Sequence, residues 1–190
     1  MTGLHLDSTL TDAAAGVHDQ DSFAQRVRTE LASQVQPDAP ISILRFDVDG
    51  FERLNGSYGR VVGDAVLRVV VESARRILQP DGVLARCGAE AFAIFMCGVS
   101  ARNASIFAER LCRCVNSLPL TAEGRKFGVT ISVGVATSLK RQCETPSMLI
   151  AAAERALTVA KSSGGNRVSS VSCSAPSTKD KRTALSRSAS

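Results

Sequence analysis

Aromatic residues make up only 4% of this 190-residue chain. They do not alternate with basic residues, so the stacking and cation pattern of a nucleic-acid-binding surface is missing. None of the six cysteines (Cys87, Cys97, Cys112, Cys114, Cys143, Cys173) forms a C-x-x-C pair, which argues against a metal knuckle and for reduced thiols. Cys112 and Cys114 lie two apart in a helical pattern, where side chains diverge. His18 has no second histidine beside it to make a ligand pair or a nucleophile's base. The longest apolar run, Phe92 to Val99, falls well short of the roughly 18 residues that span a bilayer. No charged-then-apolar leader opens the chain. No membrane span and a cytoplasmic location are therefore expected. Strong charge of one sign is also lacking: of the net +5, residues 169–190 carry +3 (Lys179, Lys181, Arg182 and Arg187 against Asp180), leaving +2 for the body.

What is present is ordinary globular composition, 44% hydrophobic and 22% charged, in an amount suited to one core. Phe23, Val27 and Leu31 recur at helical spacing after Asp21 or Ser22, either of which could cap the helix; "PDAP" at 37–40 ends it. "ISILRFDVD" (41–49) reads as a largely buried strand, Gly50 to Tyr58 as a short helix closed by Gly59. Gly63 and Asp64 open a further helix with Val66, Val69, Val70 and Ile77 on one face. "GVLAR" and "FAIFM" read as an antiparallel hairpin, followed by a helix carrying Ala104, Phe107, Ala108, Leu111, Val115 and Leu118. Val129, Ile131, Val133 and Val135 alternate with the period of a strand. Thr145-Pro146 starts a last helix to about Ser163, since proline is favoured at the first helical position. "GGNRV" then turns into a short edge strand. This order predicts an α+β fold with a mostly antiparallel central sheet flanked by helices. The expected organisation is a partly ordered segment over 1–20, one domain over 21–168, and a disordered basic, Ser-rich tail over 169–190.

Chemistry concentrates at "RFDVDGFERLNGSYGRVVGD" and "RCGAEAF". Asp47 and Asp49 lie two apart at the mouth of a buried strand, and alternation puts both on one side. With Glu90 across a hairpin, such carboxylates suit a divalent cation used in phosphate chemistry. Asp64 could equally be a helix cap and Asn55-Gly56 a simple turn. "SSGGN" reads first as a helix C-cap.

The stretches "DVDGFERLNGSYGRVVGD", "RCGAEAF", "VTISVGVA" and "AAERALTVAKSSGGNRV", in that order, resemble the GGDEF domain of diguanylate cyclases over roughly residues 12–168. "DAAAGVHDQDSF" is a worn version of that family's opening motif. The resemblance implies a nucleotidyl-cyclase-like fold and the joining of two GTP molecules into cyclic di-GMP across a dimer. It implies metal ligation of Mg2+ or Mn2+ by Asp47, the Val48 carbonyl and Glu90. Guanine recognition would fall to Asn55 and Asp64, phosphate contact to Lys161, and close backbone approach to Gly88 and Ala89.

Four positions depart from that pattern. Ala89 replaces the second signature glycine, where a methyl obstructs backbone approach and disfavours a positive-φ turn. Ala91 replaces the signature glutamate needed for turnover, so no catalytic residue is expected. Glu52 stands where the family has a phosphate-facing lysine, and Gly165 where it has an arginine. A Lys to Glu exchange changes the charge by two units, each worth roughly 4 kcal/mol at about 4 Å and an effective dielectric near 20. "QPDG" at 79–82 replaces the family's product-inhibition motif. The expected protein is a degenerate GGDEF domain, catalytically inactive, acting as a regulatory or protein-interaction module with at most weak guanine-nucleotide binding. A weak cyclase and a scaffold binding no nucleotide are the alternatives. A protein partner, or a homodimer or heterodimer with another GGDEF domain, would complete it.

Overall fold

The computed structural model describes residues 11–12, 17–33, 36, 38–143 and 145–172. Its centre is a seven-stranded sheet in the order β1-β2-β4-β5-β3-β8-β9, built from Thr11–Asp12, Val17–His18, Val83–Arg86, Ala91–Cys97, Pro40–Val48, Ile131–Leu139 and Val168–Ser172. The ladders β3/β5, β3/β8, β4/β5 and β1/β2 are antiparallel, while β2/β4 and β8/β9 are parallel. The sheet is thus mixed but mostly antiparallel, as the element order implied. The parallel β8/β9 pair needs a crossover, and α5 (Pro146–Ser162) supplies it.

Alternation along β3 sorts the core into two layers. Leu44, Phe46 and Val48 face α3 (Arg60–Ile77) and α4 (Ala101–Asn116), whereas Ile41 and Ile43 face α1 (Gln20–Ala32) and α5. Strand β8 lies between both layers, so Ile131 to Ser138 are buried on either face rather than on the alternate positions alone. Among the described residues no helix is long and apolar enough to cross a membrane.

Several local expectations are corrected. The cap of α1 is Asp19, whose Oδ1 accepts from the Ser22 backbone N–H at 2.8 Å, not Asp21 or Ser22. Helix α3 begins at Arg60, behind Gly59 at φ +82°. Asp64 therefore lies inside the helix and caps nothing, and Val69 turns outward at 38% exposure. Cys87 is half-buried against the layer that faces α1 and α5, and burial pushes its thiol pKa up. A further hairpin joins β6 (Leu120–Ala122) and β7 (Arg125–Phe127) through Glu123-Gly124, both at positive φ, in place of the usual Asn-Gly signal. Strand β9 continues through Ser172, past the expected start of the tail. The rest of that tail, and most of the 1–20 segment, lie outside the described residues.

Lys140, at the end of β8, has a side chain only 2% exposed, and its Nζ donates to Glu30 Oε1 on α1 at 3.0 Å. The Lys140 hydrogen bond holds the Glu30 carboxyl below its ordinary pKa of 4.5, outweighing the opposing effect of burial. A folded-state pKa below the unfolded one means stabilisation that is present above the unfolded value and lost as pH falls through the folded one. Glu30→Gln is expected to lower unfolding free energy by about 2 kcal/mol at neutral pH, less than for a fully buried pair because Glu30 is partly exposed. The deficit should shrink below about pH 4, where wild type loses the same charge. Urea unfolding at the two pH values checks both points, and an equal deficit at each would remove the ion pair as the cause.

Candidate functional site

Strand β3 ends at the top of the sheet and delivers Asp47 and Val48. The chain then turns through Gly50, at φ +67°, into α2 (Phe51–Tyr58). The β4/β5 turn brings in Glu90, and the C-terminus of α5 brings in Lys161 and the glycines after it. Together Val48, Asp49, Glu52, Glu90, Lys161 and Gly165 are the polar and hinge positions of a cleft of about 490 Å³.

Asp47 is 7% exposed. Its Oδ2 accepts a hydrogen bond from Lys161 Nζ, while its Oδ1 is buried without a partner. Burial raises the Asp47 pKa, opposed by Lys161. Burial also raises that of Glu90, helped by the charges of Asp47 and Glu52 and opposed by Lys161. Three acids thus share one near cation, a field that favours a metal ion over an unaccompanied phosphate.

Asp49 is not a second open carboxylate. Its oxygens accept from Thr130 Oγ1 and Ser132 Oγ, each at 2.7 Å, and from the Asn166 backbone N–H at 2.8 Å. It clamps the start of β8 and the α5/β9 loop to the end of β3. The sequence signal was the Thr-x-Ser spacing at 130 and 132, which puts two hydroxyls on one side of a strand mouth.

At the β4/β5 turn, Cys87 N–H donates to the Ala91 carbonyl at 2.8 Å. Arg86 donates to the Gly88 and Ala89 carbonyls at 3.0 and 2.5 Å. Neither Gly88 nor Ala89 has a positive φ, so the expectation that Ala89 disfavours this turn is corrected: the three-residue loop needs no left-handed residue. The β3/β5 register sets Ala91 directly opposite Asp47. Cross-strand partners share a face, so a carboxylate at 91 would stand beside Asp47 and a methyl stands there instead.

Asn55 and Asp64 lie apart from the cleft lining. Asn55 Oδ1 is buried and unpartnered, pressed onto Gly63, where a Cβ would come within 1.9 Å of it. Asp64, the next residue, is exposed on α3. Gly165 sits at φ +70° with Asp49 3.1 Å from where its Cβ would be, so an arginine there would be strained in this loop.

Hard cations take oxygen ligands. The orphaned Asp47 Oδ1, the Val48 carbonyl and Glu90 fit Mg2+ or Mn2+ only as part of a shell, because no group of three His, Cys, Asp or Glu converges among the described residues. A nucleotide's oxygens would have to supply the remainder.

The family model described as diguanylate cyclase, GGDEF domain, matches residues 9–167. Diguanylate cyclase A of Treponema denticola is 34% identical over 128 residues, 67% of this chain but 34% of that protein. The chain therefore spans about a third of the length of that relative. The crystal structure of the GGDEF domain of DgcB from Caulobacter crescentus in complex with c-di-GMP superposes with a TM-score of 0.80 at 25% identity, covering 88% of this chain and 98% of that one. Diguanylate cyclase SiaD in complex with its activator SiaC, from Pseudomonas aeruginosa, gives a TM-score of 0.80 at 26% identity, covering 86% of this chain and 62% of that one. With more than half its length matched by the family model and its fold superposing on these structures, the chain belongs to the GGDEF-domain family of diguanylate cyclases.

Proposed function

We propose that this GGDEF domain no longer condenses GTP and serves cyclic di-GMP signalling in the cytoplasm as a regulatory or protein-interaction module with weak guanine-nucleotide binding. The observation that carries the reading is Ala91 opposite Asp47, a methyl at the position beside the metal-ligand candidate. Glu52 and Glu90 on the cleft wall, with Lys161 drawn onto Asp47, support it from the substrate side. A protein partner is in keeping with the relative SiaD, which is bound by an activator. A homodimer or heterodimer with another GGDEF domain would serve equally as the complex.

When bound, Mg2+ or Mn2+ would neutralise phosphate charge; Asp47, the Val48 carbonyl and Glu90 are the residues that would hold it. The unpartnered Asp47 Oδ1 favours a second reading, a weak cyclase that retains that ion. In that case Asp47→Ala abolishes whatever activity is measured.

Calorimetric titration with GMP, GDP and GTP is the test. Without divalent metal, affinity is expected to fall in that order, because each added phosphate meets Glu52 and Glu90 while Asn55 and Asp64 keep hold of the base. Glu52→Lys should restore the opposite order, and Asp64→Asn should weaken all three ligands together, since an amide mismatches the donors of the guanine edge. GTP binding more tightly than GMP to the unaltered protein would overturn the reading. No binding of any of them would leave a scaffold.

A further inference from the structure

Below the α5/β9 loop, on the side of the sheet away from α5, lies a second cleft of about 430 Å³ between the C-terminal half of α4 and the entry to β9. Two guanidinium groups line it, Arg113 from α4 and Arg167 from the loop, together with the carboxamides of Asn116 and Asn166 and one acid, Glu109. Among the described residues Arg113 makes no side-chain hydrogen bond or ion pair, and Arg167 spends only its Nε, on the Gly165 carbonyl at 3.1 Å. Glu109 forms no ion pair within salt-bridge distance of either arginine. Both arginines are solvent-exposed, so their mutual repulsion is screened by solvent and salt and their free donors stand open to a ligand. A guanidinium offers a planar fork of donors that matches phosphate oxygens in pairs, and flanking carboxamides can both donate and accept.

We propose that this cleft is a binding site for a phosphate-bearing anion, separate from the nucleotide cleft, with Arg113 and Arg167 as its paired forks and Asn116 and Asn166 as its rim. The two clefts meet in one loop. Gly165 lines the first, Arg167 lines the second and holds the Gly165 carbonyl, and Asn166 gives its backbone N–H to Asp49. An anion seated on Arg167 therefore touches the wall of the nucleotide cleft through a single residue.

Inorganic pyrophosphate is the probe, titrated without metal into the full chain while backbone amide resonances are followed. Saturable shifts at Asn116, Asn166 and Arg167 are expected, with a dissociation constant below about 1 mM. Arg113→Gln and Arg167→Gln should each weaken binding roughly tenfold or more, and the double variant should abolish it. Arg113→Lys keeps the charge and stem but loses the fork, and should weaken binding by less than Arg113→Gln; it serves where a glutamine variant melts lower than wild type. Lys161→Gln, which alters only the nucleotide cleft, should leave these shifts in place. Shifts that fail to saturate, that persist in the double variant, or that vanish in Lys161→Gln alone each overturn the site. None of these outcomes depends on whether the domain makes cyclic di-GMP.

Discussion

Gly134→Ala is expected to lower the melting temperature by roughly 6–12 °C, the equivalent of about 3 kcal/mol in a chain of this size. Gly134 lies mid-strand in β8, and α5 rests directly on it. A Cβ there would come within 2.1 Å of the Ala153 carbonyl oxygen and 2.2 Å of the Leu157 nitrogen. Both are helix backbone atoms that cannot rotate aside, so the whole helix must move away from the sheet. That movement opens the packing of Ala153 and Leu149 against the inner layer, both now buried. It also carries Lys161 away from Asp47, so the variant should weaken whatever nucleotide binding the unaltered chain shows along with its stability. A scanning calorimetry trace superimposable on wild type would show that α5 does not bear on β8 at this point.

Incubated with GTP and Mg2+ or Mn2+, the protein is expected to form cyclic di-GMP at less than about a thousandth of the rate of a GGDEF domain with an intact signature. Loss of one preorganised electrostatic group costs about 10²–10³ in rate, and on the proposed reading an acid is missing at Ala91 and a cation at Glu52 and at Gly165. Such losses do not add, so the bound is set near that of one group rather than at their product. Ala91→Glu returns a carboxylate to the face shared with Asp47, and Glu52→Lys removes a negative charge from the cleft wall. The double variant is expected to recover at least about tenfold over whatever background is seen, by chromatographic assay. Gly165→Arg should recover nothing and cost stability, because a φ of +70° strains any side chain and a Cβ would stand 3.1 Å from the Asp49 carboxylate. Product from the unaltered chain at tens of turnovers per hour would end the claim of inactivity.

The sequence alone determined the layers and the departures from the motif it resembles. Hydrophobic period placed β3, β5 and β8 and the faces of α1 and α4, because burial of Phe23, Val27, Leu111 and Val115 is a local consequence of spacing. Motif order pointed to the positions that the resemblance assigns to the site, and the alanine at 91 and the glutamate at 52 are visible there without coordinates. Only the tertiary structure decided how those positions are used. Asp49 and Thr130, 81 residues apart, became a clamp, and Asp47 and Lys161, 114 residues apart, became an ion pair. Gly165 proved to sit at a positive φ close against Asp49. Glu123 took the left-handed turn that made β6 and β7 a hairpin. Arg113 and Arg167 came to share one cleft. Periodicity reports which side of an element a residue occupies; it cannot report what another element, folded back from a distant part of the chain, will place against it.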